Sequence, residues 1–499
     1  MITAVIVLSV SLSSLTEVST GQSLNGLNER EFNPLYHETL PVCDCADLIN
    51  AVIPNTVIES AVVNKADSSC RVTAIVTHPP FDDRVKVTTA LPLKNWNGRY
   101  YGTGGGGFAG GTLWSMNEPV SQGFAAGSTD AGHEGGSGAF ALDKEKRCLN
   151  WQEIRDFAYL GIHDMTIVGK ALVKTFYGKP ALYSYFVGGS NGGRQALTEA
   201  QRYPADYNGI LALCPAIYWS SLLTADLWPQ AVMFDTKNYV SRDKLEAVTK
   251  AVITACDDQD GLADGVIEDP VNCKWDPGVF VGKEVGDRIF TASDADVVRR
   301  IWEGPRSHDG RFLWYGPTRG TNLLALAGTN SISGKGAPFS ISTEWVRYFL
   351  LFDPEWDGTS MTCTEFEALF NQSVDQYSDV FQASNTDLSA FRDNGSKLII
   401  LHGLADQLVA PQGTIMYYNQ LQERMGGAKK TSKFVRLYLF PGLDHGFMGA
   451  GPKPAGQFNA LVRWVEEGKA PEYISTELKD KAGDVIRVGK ILPYSALNP

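Results

Sequence analysis

Two hydrophobic rhythms run along this chain, and the places where one replaces the other outline its architecture. Val/Thr-rich runs at residues 71–77 and 85–91 read as antiparallel strands opening a sheet, and the alternating Tyr183, Tyr185 and Val187 repeat every second position as a half-buried strand does. Phe157, Leu160, Met165, Val168 and Leu172 recur at helical spacing and predict a helix over 156–175. After Cys214 this alternation of strands and helices stops. Residues 215 to about 390 are rich in Trp, Asp, Pro and Gly, with helical periodicity in scattered pieces such as 242–256 and 293–302. The rhythm resumes with Lys397-Leu-Ile-Ile-Leu-His-Gly403, an apolar run of the kind a strand buried on both faces carries. A strand at 434–440 and a closing helix at 457–467, with Phe458, Leu461, Val462 and Val465 on one face, complete the pattern. The expectation is an α/β protein with a mostly parallel central sheet and helices on both faces. Its core would be split over 40–214 and 391–499, with a lid inserted at 215–390.

The candidate chemistry sits where strands end. After the strand at Tyr183 comes Gly188-Gly189-Ser190-Asn191-Gly192, and residues 195–202 read as a helix stopped by Pro204. Strand, G-x-S-x-G turn and helix together are the context of a nucleophile elbow, which needs small neighbours because the backbone turns sharply beside other chain segments. Upstream, a strand runs into four consecutive glycines, 104–107, where absent side chains would let backbone N–H groups approach a carbonyl oxygen. A serine hydroxyl needs a base and the base needs an orienting acid; this fold places them in the order Ser, Asp/Glu, His, each past a strand end. Asp406 follows the strand at 397–403, and His445 follows the strand ending at Phe440. His402 is better suited to a strand-end hydrogen bond, and Asp444 is too close in sequence to His445 to serve its ring nitrogen. His163, inside the predicted helix at 156–175, reads as structural.

Composition changes the picture in three ways. The 499 residues, 43% hydrophobic and 20% charged, describe a soluble globular chain, and a net charge of −12 without a basic cluster argues against nucleic-acid partners. Residues 1–20 read as a signal peptide, no later segment is long and apolar enough to span a bilayer, and eight cysteines suit an oxidising compartment, so a secreted, extracellular protein is expected. Finally, Asp257, Asp260 and Asp264 lie on a Gly-containing loop between Cys256 and Cys273, and carboxylates with intervening carbonyls suit calcium better than zinc.

Taken together, the residues resemble the tannase/feruloyl esterase family of α/β-hydrolases from about Cys45 to Tyr494. The resemblance is carried by Asn95-Trp-Asn-Gly-Arg and the glycine run, Ser128-Thr-Asp, Asp156-Phe-Ala-Tyr, Tyr177-Gly-Lys-Pro, Gly188 to Gln195 and Glu199-Ala-Gln-Arg-Tyr-Pro204. It continues through the Cys256 to Cys273 loop, Asp353-Pro-Glu-Trp-Asp357, His402-Gly-Leu-Ala-Asp406 and Trp464-Val-Glu-Glu-Gly-Lys-Ala-Pro471. It implies Ser190 as nucleophile, His445 as base, Asp406 as its partner, and an oxyanion hole from the Asn191 N–H and a glycine at Gly105 or Gly106. It also implies a structural calcium on Asp257, Asp260 and Asp264 with the carbonyls of Leu262 and Val266, and disulfides Cys256–Cys273 and Cys45–Cys70. Where the family usually carries cysteines beside the serine and the histidine, this chain has Gly189 and Gly446.

The resulting expectation is a secreted serine carboxylesterase acting on feruloyl, galloyl or other benzoate-like esters, free or polysaccharide-linked, without a membrane partner. Trp219, Trp228, Trp345, Tyr348 and Phe349 could stack on such an acyl group or form the lid's own core. The rival readings are an acyltransferase or amidase using the same three residues, and a binding protein on a non-catalytic scaffold.

Overall fold

The computed structural model describes residues 32–495 apart from 37, 38, 144, 146, 287, 331 and 481, so the expected signal peptide at 1–20 lies outside the described residues. The strand-forming runs assemble into one nine-stranded sheet. Its strands are β1 (Thr56–Asn64), β2 (Ser69–Val76), β3 (Val85–Pro92), β4 (Arg99–Thr103), β5 (Ala125–Thr129), β6 (Tyr183–Gly189), β7 (Gly209–Leu213), β8 (Lys397–Gly403) and β9 (Val435–Phe440). Their spatial order is β1-β2-β3-β5-β4-β6-β7-β8-β9. The pairs up to β3–β5 are antiparallel and every later pair is parallel.

Six of the seven residues of β8 are buried, as its continuous apolar run requires of a central parallel strand. Helices α1 (Gly161–Tyr177) and α2 (Asn191–Arg202) cover one face, where Met165, Val168 and Leu197 join Val87, Tyr100 and Ile210 in a single core. Helix α3 (Gln457–Glu467) covers the other, packing Phe458 and Leu461 against Tyr185, Leu211 and Ile399. Leu213 of β7 pairs with Leu401 of β8, so these strands are spatial neighbours although the whole of residues 214–396 lies between them. Among the described residues that stretch adds no strand to the main sheet.

Two elements differ from the sequence expectation. The helix predicted from residue 156 already starts at Trp151, and Trp151–Arg155 runs through a π-turn, Asp156–Leu160, into α1 proper. The intervening stretch holds the expected helical pieces, Arg242–Cys256 and Ala292–Glu303, and in addition a 19-residue helix, Cys363–Phe381, started by a capping box of Thr362 and Glu365 and burying Phe366, Leu369, Phe370, Tyr377 and Phe381. Trp219, Trp345 and Phe349 pack with that helix and with Phe108 and Phe157 in a buried aromatic cluster, which commits these three rings to holding the segment together.

Candidate active site

The register of the parallel strands brings the candidate residues to one edge of the sheet. Val187 pairs with Thr103, Gly189 with Leu213, Leu213 with Leu401 and Gly403 with Phe440, so β4, β6, β7, β8 and β9 end side by side. The glycine run, Ser190, Asp406 and His445 all lie on loops leaving that edge, which is where ligands bind in open α/β sheets.

Ser190 joins β6 to α2 with φ 59° and ψ −120°, a backbone conformation that costs energy for any residue with a side chain. Three close approaches impose it. The Ser190 N–H donates to Leu213 O (2.9 Å) and the Gly192 N–H to Gly105 O (2.9 Å). A Cβ on Gly188 would stand 2.4 Å from Gly192 O, and one on Gly192 would stand 2.7 Å from Gly105 O. The glycines on either side of Ser190 are therefore required by packing, and the turn cannot relax.

Asp406 and His445 are brought together. Nδ1 of His445 lies 2.9 Å from Oδ2 of Asp406, both side chains being buried. Asp406 Oδ1 accepts the N–H groups of Leu408 (2.9 Å) and Val409 (2.8 Å), and Oδ2 also lies 3.2 Å from His402 Nε2. Burial by itself raises the pKa of this carboxyl, but the charge of His445 and the hydrogen bonds from both histidines outweigh it and hold Asp406 well below the usual carboxylate range. Burial works against protonation of His445 as well, and the Asp406 charge more than reverses it, so the imidazole is pushed up. His402, the rival base, is held between Thr414 Oγ1 (2.9 Å) and the carbonyl of Val409 (2.9 Å) and acts as a brace for Asp406. Asp444 accepts the Met448 N–H (2.6 Å) in the turn around His445.

The link from imidazole to serine is not made in this conformation. Among the described residues Ser190 Oγ has no hydrogen-bond partner, while the buried thiol of Cys214, at the end of β7, lies within 4.8 Å of both the His445 ring and the Asp406 carboxylate. Such contacts are often long before substrate is bound.

For the expected oxyanion hole, the structure separates two adjacent glycines. The Gly105 N–H donates to Gln195 Oε1 (2.8 Å) and is already satisfied in this conformation. Among the described residues the N–H groups of Gly106 and Asn191 have no acceptor. Two residues that sequence reasoning did not single out fix this region. Gln195 spans the glycine loop, accepting from Gly105 and donating to Gly110 O (3.0 Å). Arg194 is fully buried; its guanidinium donates to Asn191 Oδ1 (2.8 Å) and to the carbonyls of Ala158 (2.7 Å) and Phe157 (3.4 Å) at the π-turn. Both belong to Gly188–Gln195, and the visible signal was two polar residues on the inner face of a helix that otherwise buries small side chains.

The expected disulfides Cys45–Cys70 and Cys256–Cys273 are both formed. The acidic loop that the second one closes holds itself together. Asp257 Oδ1 accepts the N–H groups of Asp264 (3.0 Å), Gly265 (2.9 Å) and Val266 (3.1 Å), Asp260 Oδ1 accepts that of Leu262 (2.9 Å), and Asp264 pairs with Arg487 (2.8 Å). Its all-oxygen donors have the chemistry calcium prefers. As folded, however, Asp257, Asp260 and Asp264 are not a set whose oxygens lie within 4.8 Å of one another, because Asp257 serves the loop's own amides and Asp264 is drawn to Arg487.

A mostly parallel sheet flanked by helices, with a strained serine elbow and an imidazole–carboxylate pair at neighbouring strand ends, defines the α/β-hydrolase fold. Residues 70–497 match the family described as "Tannase and feruloyl esterase". A probable feruloyl esterase of Arthroderma benhamiae is 42% identical over 427 residues, covering 83% of this chain and 79% of that one. Feruloyl esterase B from Aspergillus oryzae superposes with a TM-score of 0.78 at 26% identity, over 90% of this chain and 95% of the other. Tannin acyl hydrolase from Aspergillus niger shares the fold, with a TM-score of 0.79 at 24% identity over 89% and 90% of the two chains. The chain belongs to the tannase and feruloyl esterase family and is a carboxylic ester hydrolase.

Proposed function

We propose that this protein is a secreted serine carboxylesterase that cleaves esters of aromatic acids through an acyl-enzyme. The observation that carries the reading is the strained Ser190 turn facing a buried imidazole whose other nitrogen is fixed on Asp406 at 2.9 Å. Rotation of Ser190 Oγ towards His445 gives the base its proton as Oγ adds to the ester carbonyl. The N–H groups of Asn191 and Gly106 bind the developing oxyanion, and each such donor is worth about 2.7–4 kcal/mol of barrier. Protonated His445 then passes the proton to the departing alcohol, and in the second half-reaction it activates the water that releases the acid.

The aromatic preference draws support from Trp228, Trp314 and Tyr315, which line a cavity of about 20 Å³ beside Asp406 together with the buried Asp226. That volume holds roughly one water, and neither Ser190 nor His445 lines it. A calcium on the Asp257 loop belongs to the same proposal in a structural role only: it would be held by Asp257, Asp260 and Asp264 with the carbonyls of Leu262 and Val266, which would require Asp264 to leave Arg487.

The test is covalent labelling with a fluorophosphonate. The wild type should be labelled and Ser190→Ala should not, with activity on a feruloyl or galloyl ester falling by about 10⁶ in kcat. An unlabelled wild type that still binds aryl esters would favour a non-catalytic scaffold.

A further inference from the structure

Away from the triad, the turn after β2 meets the π-turn at the head of α1 in a second cluster of ionisable side chains. Nδ1 of His78 lies 2.5 Å from Asp83 Oδ2 and 3.6 Å from Asp156 Oδ1, and Nε2 of the same ring lies 3.3 Å from Asp164 Oδ2. The Asp83 and Asp156 side chains are 2% and 0% exposed, whereas His78, at 23%, leaves a route from solvent. One ligand atom from each of His78, Asp83 and Asp156 lies within 4.8 Å of the other two. Asp156 Oδ1 accepts from Gln152 Nε2 (2.9 Å), but its Oδ2 is buried without any hydrogen-bond partner among the described residues. No Lys or Arg ion pair reaches Asp83, Asp156 or Asp164 among the described residues. Three carboxylates thus share one imidazole, and two buried acceptor atoms of the cluster, Asp156 Oδ2 and Asp164 Oδ2, have no hydrogen-bond partner among the described residues, the approach of Asp164 to the ring being an ion-pair contact only. Leaving such an atom dry and unpaired is costly unless something else completes the site.

We propose that His78, Asp83 and Asp156 form a binding site for one divalent transition-metal ion of zinc-like character, with Asp164 as the positioning residue that orients the imidazole. The donor set decides the class of ion. One imidazole nitrogen with two carboxylates suits a borderline ion, which takes nitrogen and oxygen together, better than calcium, which prefers an all-oxygen shell. The second ring nitrogen facing Asp164 matches the rule that a metal-bound histidine gives its free N–H to a carboxylate. Two ligand carboxylates neutralise a divalent ion, which removes the mutual repulsion the cluster otherwise carries. Such an ion ties the turn at residues 78–83 to the π-turn. The Phe157 and Ala158 carbonyls of that turn hold Arg194, which in turn holds Asn191.

The experiment uses the full-length protein, stripped with EDTA and dialysed. Cobalt chloride should give a visible ligand-field band saturating at one equivalent, and zinc should displace it and raise Tm by at least about 2 °C. His78→Gln and Asp156→Asn should abolish both effects, and Asp164→Asn should weaken zinc binding by about 10- to 100-fold. Asp257→Asn, on the separate acidic loop, should leave the band intact. A wild type that takes up no cobalt, or a band that survives in both His78→Gln and Asp156→Asn, overturns the proposal. So does a Tm that falls in those variants equally with and without zinc, which would make the cluster a hydrogen-bonded imidazolium clasp and nothing more. Should either variant fail to fold, the stoichiometry of the cobalt band in the wild type, together with its weakening in Asp164→Asn, decides the matter.

Discussion

Gln195 is the residue on which the geometry around Ser190 turns. Its amide occupies the Gly105 N–H and the Gly110 carbonyl, while the N–H groups of Gly106 and Gly107 have no acceptor among the described residues. Gln195→Leu removes both bonds while keeping the volume, so the loop loses its register and two buried backbone groups are stranded. We expect kcat to fall about 10²-fold with KM little changed, the pattern of an interaction made in the transition state. Steady-state kinetics on an aryl ester checks this. His133 supplies a pH dependence of stability. Its ring is stacked on Phe140 at 3.9 Å, its Nε2 is 2.6 Å from Phe108 O, and burial pulls its pKa down to about 4. As the pH falls below the ordinary histidine value the unfolded chain takes up a proton that the folded one refuses. Stability is therefore full above about pH 6.5 and declines towards pH 4, by at most about 1.4 kcal/mol per pH unit from this ring. In urea unfolding at pH 7 and pH 5, His133→Gln should show a shallower loss of stability than the wild type.

At the scale of elements, the strands were the most legible part of the chain. Alternation in β2, β3 and β6 and the unbroken apolar run of β8 leave little ambiguity. The strand ends then located Ser190, Asp406 and His445, whose positions depend on topology alone. The π-turn was harder to see, because the apolar positions Phe157, Ile162 and Met165 run through it without a break that marks it in the sequence. The helix Cys363–Phe381 carries a capping box and a regular apolar stripe, but Asn371, Gln372, Ser373 and Gln376 dilute its periodicity. That the Gly105 N–H is tied down could not be read at all, since it depends on how far a side chain ninety positions away can reach. Within the inserted segment, Cys256–Cys273 closes a loop with a sequence separation of 17. Replacing both cysteines with alanine should cost about 3 kcal/mol, measured by chemical denaturation without reductant. If calcium binds this loop, adding it to EDTA-treated protein raises Tm without changing the ranking of ester substrates, and Asp257→Asn removes the rise. An unchanged Tm on calcium addition would rule the ion out.

Considered whole, the molecule splits its chemistry unevenly along the chain. Ser190 and the glycine loop belong to strands laid down before residue 214, and His445 with Asp406 to β8 and β9, which are added only after the inserted segment. Loops from five adjoining strand ends then share one edge, which is how residues so distant in sequence are set side by side without any of them being neighbours in the chain.

The pairing of β7 with β8 has a consequence for how the protein is made. As the chain leaves the ribosome, β7 presents a bare row of backbone donors and acceptors, and its partner strand arrives roughly 190 residues later. At about 5–20 residues per second of synthesis, that interval lasts on the order of ten seconds or more. During it the nascent sheet is open to pairing with any other extended chain. A fragment ending before residue 397 should therefore collect in inclusion bodies, and slower growth or added chaperone should rescue the full-length protein but not the fragment.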